Sequence, residues 1–334
     1  MNVRFNSMFT FVSNLRAAIR TKQWNTPRVT ARSEHDLSSA HQETAQRAIV
    51  ELPVFLDSEA EKEFTRKGYV VRPFLEKREI TAAQDLHDTL TPAIPMDLYQ
   101  SISGNTNYRR QVSEGIRSLI QGRLKEFLPQ YRISFCSFVT KRPNSSKGSL
   151  PIHIDPWFSD NRKHRSVHVW CPLIDVDQDN GCLKVIPGSH RLRNVPFALT
   201  MNPTPFDHLR VQLDREFATS LPMAAGNAVF YDGSLLHGSD ENCSHQPRVA
   251  LAALSRHETA KPCIFQWNKG EPTKFDILEI SEEFLCSVKF MASVRNPYPH
   301  GVRYLESVHF QFSPWQSLEL DELKRIQTEI ELGQ

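Results

Sequence analysis

The chain has 334 residues, of which 40% are hydrophobic, and its formal net charge is +2. This composition excludes a wholly disordered chain, and the balanced charge predicts no nucleic-acid partner. Six cysteines without a CxxC pair disfavour a disulfide scaffold or a zinc finger. The longest purely apolar run, residues 249–254, is far shorter than the roughly 20 residues that span a membrane, so we predict no transmembrane segment.

The N-terminal segment, residues 1–33, contains six basic residues and no acidic residue. Its apolar residues recur at helical spacing, which predicts an amphipathic helix. We interpret residues 1–60 as a basic arm followed by a polar linker. Three roles stay open for the arm: packing on the domain, directing the chain into an organelle as a transit peptide, or binding a membrane surface. The predicted location is the cytoplasm, with an organelle as the alternative.

Residues 61–256 are predicted to form the main domain. It begins with a short β run over 68–71 and helices over 78–90 and 113–127, the second capped by Ser113. Short segments rich in β-forming residues follow, over 131–140, 167–176, 183–186, 209–213, 228–231 and 248–255. Because turns rich in Gly, Pro and Asn separate them, we predict an all-β core, a sandwich or a barrel, with flanking helices.

The C-terminal region, residues 257–334, is predicted to be a mostly helical extension of the same domain. Apolar residues at helical spacing indicate helices over 281–295 and 317–332.

One short segment carries two candidate metal ligands, His153 and Asp155. In a strand, residues i and i+2 point to the same face, so this imidazole and this carboxylate are expected side by side. A third ligand is needed from elsewhere, and the candidate is His237, which follows a β run and a turn. Two histidines and one carboxylate on one face of an octahedron leave open positions, an arrangement typical of non-haem Fe(II) oxygenases.

Arg248 lies eleven residues after His237, with a turn-prone stretch between them. If the chain folds back near residues 242–243, the two residues form a cross-strand pair whose Cβ atoms are about 5 Å apart. An arginine there would reach the carboxylate of a ligand that also chelates the metal, in a bidentate grip.

Residues 64–256 resemble the phytanoyl-CoA dioxygenase family of Fe(II)/2-oxoglutarate oxygenases. The resemblance is carried by the HxD of His153 and Asp155, by residues 179–190, similar to the family's NGxLxxxPGSH segment, and by the block from His237 to Arg248. It implies a double-stranded β-helix, a cupin-like jelly roll with helices on its outer face. It also implies that His153, Asp155 and His237 bind iron.

The same resemblance assigns the cosubstrate residues. Arg248 would hold the far carboxylate of 2-oxoglutarate, Ser239 would assist it, and Trp170 would border the cosubstrate. The implied cofactors are Fe(II), 2-oxoglutarate and O2. The implied reaction is hydroxylation of an unactivated C–H bond with release of succinate and CO2. Asp155 favours this outcome because related halogenases replace this carboxylate with Ala or Gly to admit a halide.

Alternatives remain open at this point. The same oxidant can carry out desaturation or ring closure, and a cupin-like barrel can lose catalysis and serve as a binding module, or use another metal for hydrolysis. The expected substrate is a small or acyl-type molecule. An anionic or carrier-linked substrate is one option, because the basic segment 162–165 follows the HxD closely.

Overall fold

The computed structural model describes residues 53–91, 93–192, 198, 206–267, 270–271, 273–287, 302–310 and 320–333. The predictions for the basic arm lie outside these residues. Residues 53–60, which were predicted to belong to the linker, belong to the domain, since Val54 and Phe55 are buried in its core. None of the helices described has both the length and the apolar content of a bilayer-spanning segment.

The helices of the described part differ widely in length. They are α1 (Ser58–Lys67), α2 (Lys77–Leu90), α3 (Thr106–Phe127), α4 (Arg210–Phe217), α5 (Glu282–Ser287) and α6 (Leu320–Glu331). The strands are β1 (Tyr69–Pro73), β2 (Leu98–Gln100), β3 (Tyr131–Lys141), β4 (Leu150–His153), β5 (Val167–Pro172), β6 (Leu183–Val185), β7 (Thr219–Ser220), β8 (Asn227–Asp232), β9 (His237–Ser239), β10 (Arg248–His257), β11 (Cys263–Trp267), β12 (Lys274–Glu279) and β13 (Arg303–His309).

The strands form antiparallel sheets. The large sheet has the order β1-β8-β5-β10-β3-β2, the small sheet β4-β9-β6-β7, and a third sheet β11-β12-β13. From β3 to β10 the chain passes repeatedly between the large and small sheets. Trp170 and Val229 of the large sheet share one apolar cluster with Leu183 and Val185 of the small sheet. The inner faces of the two sheets therefore pack together, and the predicted sheet-rich core with flanking helices is confirmed.

Helix α3 covers the outer face of the large sheet. Val112, Ile116, Ile120 and Leu124 recur every four residues, so they form one buried stripe in the cluster that also contains Phe138 of β3. The predicted start at Ser113 is wrong. The helix is capped earlier by Asn105, whose side chain accepts the backbone N–H of Tyr108 at 3.0 Å. Ser113 lies inside the helix, and its hydroxyl accepts the backbone N–H of Cys136.

Two other segments differ from their predictions. Residues 209–213 do not form a strand but enter helix α4, because Leu213 and Phe217, four residues apart, both reach the core on one helical face. The C-terminal region is not mostly helical in its described part, since it contains the third sheet. The helices predicted over 281–295 and 317–332 are present in their described parts as α5 and α6. The strands lie in segments for which no helix was predicted, such as β11, Cys263–Trp267, in which nearly every residue is buried.

Candidate active site

The two candidate histidine ligands are direct cross-strand partners. His153 ends β4 and His237 begins β9, and their ring centroids are 4.3 Å apart. Nδ1 of His153 lies 2.8 Å from the carbonyl oxygen of Pro151, and Nδ1 of His237 lies 3.0 Å from that of Leu235. Because a carbonyl only accepts, each Nδ1 carries the proton and donates it. Each Nε2 therefore presents its lone pair to a common point, the tautomer that a metal ligand requires.

Asp155 completes this group. It lies two residues past His153, just beyond the end of β4, with Oδ1 3.6 Å from Nε2 of His153 and Oδ2 3.6 Å from Nε2 of His237. One ligand atom from each residue lies within 4.8 Å of the others. No other group of three His, Cys, Asp or Glu side chains is as close together in the part of the chain that the structure describes. Two imidazoles and one carboxylate, without a thiolate, suit Fe(II) with open positions for further ligands.

Two residues of the large sheet hold the Asp155 carboxylate in place. Nδ1 of His168 lies 2.9 Å from Oδ2, and the hydroxyl of Tyr231 donates to the same oxygen at 3.1 Å. His168 and Tyr231 are themselves cross-strand partners in β5 and β8. Both donors therefore contact Oδ2, whereas Oδ1 faces Nε2 of His153.

The pKa shifts of the site residues favour the binding of a cation. Burial by itself raises the pKa of Asp155, but the neighbouring His237, His153 and His168 outweigh burial and hold the pKa well below its usual range. Burial and the nearby His153 lower the pKa of His237 to about 4. Burial and the Asp155 charge raise the pKa of Tyr231, which keeps its phenol a donor. At neutral pH the group therefore offers one carboxylate and a neutral His237 imidazole.

The sequence analysis assigned no role to His168 or Tyr231. The alternation of side chains along β5 could have indicated a role for His168. Val167 and Val169 belong to the cluster under the helices, whereas Trp170 faces the inner cluster. His168 shares the face of Trp170 and so points between the sheets, where a buried imidazole needs a polar partner.

The predicted hairpin between His237 and Arg248 is wrong. His237 pairs with His153 and Val185 in the small sheet, whereas Arg248 begins β10 and pairs with Lys141 in the large sheet. The intervening residues do not turn back within one sheet but cross from one sheet to the other. Local turn propensity does not distinguish these two paths, because both need polar, turn-forming residues.

Arg248 nevertheless lies between the sheets. It is 1% exposed, its Cζ lies 5.5 Å from the centroid of the Trp170 ring, and its Nη1 donates to the carbonyl of Val139 at 3.1 Å. Its Nε has no hydrogen-bond partner among the described residues. Burial lowers the pKa of Arg248 to about 9. A buried guanidinium with an unused donor and no described carboxylate beside it has the chemistry to bind an anion.

Ser239 and the basic segment complete the list of predicted residues. Ser239 is buried at the end of β9, two residues after His237, and pairs with Leu150 and Leu183. In the basic segment, the guanidinium of Arg162 lies 2.7 Å from Asp160 and 3.4 Å from Glu306, and Lys163 has the same two partners.

Arg165, at the end of that segment, is buried and pairs with Asp232 at 3.2 Å. The cations of the basic segment are thus neutralised within the protein. Their arrangement does not favour recognition of an anionic substrate.

A comparison with protein-family models matches residues 37–250 to the phytanoyl-CoA dioxygenase (PhyH) family. The chain belongs to the phytanoyl-CoA dioxygenase family. The resemblance predicted from the motifs is thereby confirmed. The matched segment includes the three candidate metal ligands, Ser239 and Arg248.

Curated relatives in this family match part of the chain. Phytanoyl-CoA dioxygenase 1 of Oryza sativa subsp. japonica is 32% identical over 117 residues, which are 34% of this chain and 41% of that protein. Ectoine dioxygenase of Bordetella bronchiseptica is 32% identical over 109 residues, 27% of this chain and 34% of that protein. The human peroxisomal phytanoyl-CoA dioxygenase is 26% identical over 157 residues, covering 44% and 45%. The chain thus spans less than half the length of each of these relatives.

Solved structures resemble the chain at lower identity. EvdO2 from Micromonospora carbonacea var. aurantiaca, complexed with 2-oxoglutarate, is 22% identical with a TM-score of 0.45, over 62% of this chain and 93% of that one. HygX from Streptomyces hygroscopicus, with nickel, 2-oxoglutarate and hygromycin B bound, is 14% identical with a TM-score of 0.46, over 64% and 90%. The family assignment therefore comes from the sequence match.

Proposed function

We propose that this chain is a 2-oxoglutarate-dependent non-haem iron dioxygenase that hydroxylates a small-molecule or acyl-type substrate. The observation that carries the proposal is the convergence of His153, Asp155 and His237, with both Nδ1 protons engaged by carbonyls and Asp155 anchored by two donors. Preorganised ligands of this kind are typical of a metal site that keeps open positions for reactants.

The buried Arg248 supports a binding site for 2-oxoglutarate between the two sheets. Bound iron and 2-oxoglutarate supply the oxidation: the keto acid is converted to succinate and CO2 while O2 is split and one oxygen atom passes to the substrate. The protein would orient the reactants and exclude water from the site. Arg248 would hold the far carboxylate, Trp170 packs on the guanidinium, and Ser239 is proposed as an auxiliary hydroxyl on the inner face.

Access to the metal site comes from the side of β4. The side chains of His153 and Asp155 are each 22% exposed, whereas that of His237 is 5% exposed. A substrate can therefore reach the ligands past the end of β4. We propose a substrate small enough to enter there, without help from the neutralised cations of residues 162–165.

The path of the chain supports the jelly-roll interpretation. Strands β3, β5, β8 and β10 lie in the large sheet, and β4, β6, β7 and β9 lie in the small sheet. A double-stranded β-helix requires such alternation, and it brings β4 beside β9, which joins the two histidines. We therefore propose this fold for the core.

Other chemistries are less well supported. A binding module without catalysis, or a hydrolytic metal site, has no use for a buried guanidinium that lacks a carboxylate partner. Desaturation or ring closure uses the same oxidant and the same residues, so it remains the alternative outcome of the same site.

The test is addition of Fe(II) and 2-oxoglutarate to the full chain without oxygen. A visible charge-transfer absorption band is expected, and it should be absent from the double variant His153→Ala, His237→Ala, which loses both imidazole ligands. On exposure to oxygen, succinate release should be measured over a panel of candidate substrates, with product mass distinguishing hydroxylation from desaturation. A folded protein that binds Fe(II) but shows neither the band nor succinate would contradict the proposal.

A further inference from the structure

A group of buried polar atoms lies beside Nε2 of His168, the ring nitrogen that does not face Asp155. Asn161 and Ser166 are 8% and 4% exposed, and neither Nδ2 of Asn161 nor Oγ of Ser166 has a hydrogen-bond partner among the described residues. Both atoms lie close to Gly233. A Cβ added at that glycine would overlap Oγ of Ser166, and it would lie 3.2 Å from Nε2 of His168 and 3.4 Å from Nδ2 of Asn161. Since buried polar groups are normally hydrogen-bonded, three such atoms around one point indicate that they act together.

The register of the large sheet brings these residues to one place. Val167 of β5 pairs with Asp232 of β8. One residue beyond this pair, the backbone N–H of Gly233 donates to the carbonyl oxygen of Ser166 at 3.1 Å. Ser166 and His168 are two residues apart, so both side chains point between the two sheets. A glycine at position 233 leaves the room that the Ser166 hydroxyl occupies.

The hydrogen bond at Nδ1 of His168 determines what its Nε2 requires. Nδ1 lies 2.9 Å from the Asp155 carboxylate, which only accepts, so Nδ1 carries a hydrogen. In the neutral ring Nε2 is then an acceptor, and it needs a donor. Asn161 faces this region with a group that only donates. The hydroxyl of Ser159 donates to Oδ1 of Asn161 at 3.2 Å, which leaves the NH2 group as the end of the amide near His168.

We propose that Asn161 and Ser166 are positioning residues of the metal centre. Nδ2 of Asn161 has no lone pair to offer, so it orients the Ser166 hydroxyl with its hydrogen toward Nε2 of His168. A donor at Nε2 keeps the hydrogen of the ring on Nδ1, where it bonds Oδ2 of Asp155. Without that donor the ring would carry its hydrogen on Nε2 instead, and Oδ2 would lose one of its two donors. This inference rests on the proposed function, because it concerns the orientation of a metal ligand.

The first measurement determines which nitrogen of His168 carries the hydrogen. The full chain with isotopically labelled histidines is studied by proton–nitrogen correlation NMR, without metal and with Zn(II), and His168→Asn identifies the signal by its loss. We expect the Nδ1–H form in the wild type and a substantial fraction of the Nε2–H form in Ser166→Ala and Asn161→Leu. A role in packing alone would not change this form.

The second measurement is affinity for Zn(II), by competition with a chelator. Ser166→Ala and Asn161→Leu should each weaken binding by about 2- to 10-fold, the range for loss of one neutral hydrogen bond. Gly233→Ala keeps every polar group but places a methyl group where the Ser166 hydroxyl lies, so it should weaken binding to a similar extent. The double variant Gly233→Ala, Ser166→Ala should be no weaker than either single variant, because the same hydrogen bond is lost in all three.

Ser134→Ala is the matched control. Ser134 is a buried serine of β3 whose hydroxyl also lacks a partner among the described residues, but it is not one of the atoms nearest Gly233. Its substitution should change neither the form of the His168 ring nor the affinity for Zn(II). An equal loss of affinity in Ser134→Ala and Ser166→Ala would overturn the inference, since removal of a buried hydroxyl anywhere would then be sufficient.

The remaining outcomes separate this inference from the proposed function. If Ser166→Ala and Asn161→Leu keep the wild-type ring form, or change it without weakening Zn(II) binding, the positioning role is overturned and the metal site stands. If the double variant His153→Ala, His237→Ala also binds Zn(II) like the wild type, the proposed metal site itself fails. Should Gly233→Ala not fold, Ser166→Ala and Asn161→Leu decide the question.

Discussion

Nδ1 of His168 lies 2.9 Å from Oδ2 of Asp155, which ties the large sheet to a carboxylate beside the small sheet. His168 is buried near the start of β5, between the two packed sheets. The orientation of the Asp155 carboxylate toward the two histidines therefore depends on a residue that does not itself reach the common point of the ligands.

The first prediction concerns His168. His168→Ala should reduce metal affinity by about 10- to 100-fold, the range typical of residues that orient metal ligands. His168→Asn should recover most of this loss, because an amide N–H can replace Nδ1–H as the donor. Metal affinity measured by competition with a chelator checks both, and equal losses in the two variants would show that packing, not the hydrogen bond, is responsible.

The second prediction concerns Tyr231. Tyr231→Phe removes one donor to the carboxylate while keeping the ring, and a hydrogen bond to a charged group contributes about 1.5–3 kcal/mol. We expect weaker metal binding with little change in thermal stability. Tyr69→Phe is the control, since Tyr69 lies in the same inner cluster but on strand β1, where no hydrogen bond to Asp155 is formed. An equal effect from both variants would refute the role of Tyr231.

The third prediction concerns the guanidinium of Arg248. Arg248→Lys should raise the 2-oxoglutarate concentration needed for half-maximal succinate release by at least about tenfold, because an ammonium does not reproduce the planar fork. Affinity for Fe(II) alone should be unchanged, since Arg248 is not among the three metal-ligand candidates. An unaltered 2-oxoglutarate requirement would remove Arg248 from the cosubstrate site.

The fourth prediction separates structural from functional residues within the PGSH segment. Gly188 has φ +81°, and a Cβ there would lie 2.3 Å from Cγ2 of Ile326 in α6. Gly188→Ala should therefore destabilise the protein by more than about 1 kcal/mol in urea unfolding, with metal stoichiometry unchanged.

Gly122→Ala is the matched control for this substitution. A Cβ at Gly122, in helix α3, would meet nothing within 4 Å, so the change should be neutral or stabilising by up to about 1 kcal/mol. A loss of metal from Gly188→Ala at unchanged stability would contradict the structural role.

The sequence by itself determined the local features of this protein. The spacing of His153 and Asp155 places two donors together, and a four-residue apolar period predicts most of α3, because both properties depend only on the geometry of one segment. Family motifs extended this to His237, Arg248, Ser239 and the implied cofactors, since the order of these blocks along the chain is itself a sequence property.

Only the tertiary structure decided which strands become neighbours. It set His153 against His237, moved Arg248 into the other sheet beside Lys141, and brought His168 and Tyr231 to the Asp155 carboxylate. A strand's alternation specifies which face is buried but not which strand lies across from it. That choice depends on how both sheets and their helices bury apolar surface together, which no single segment encodes.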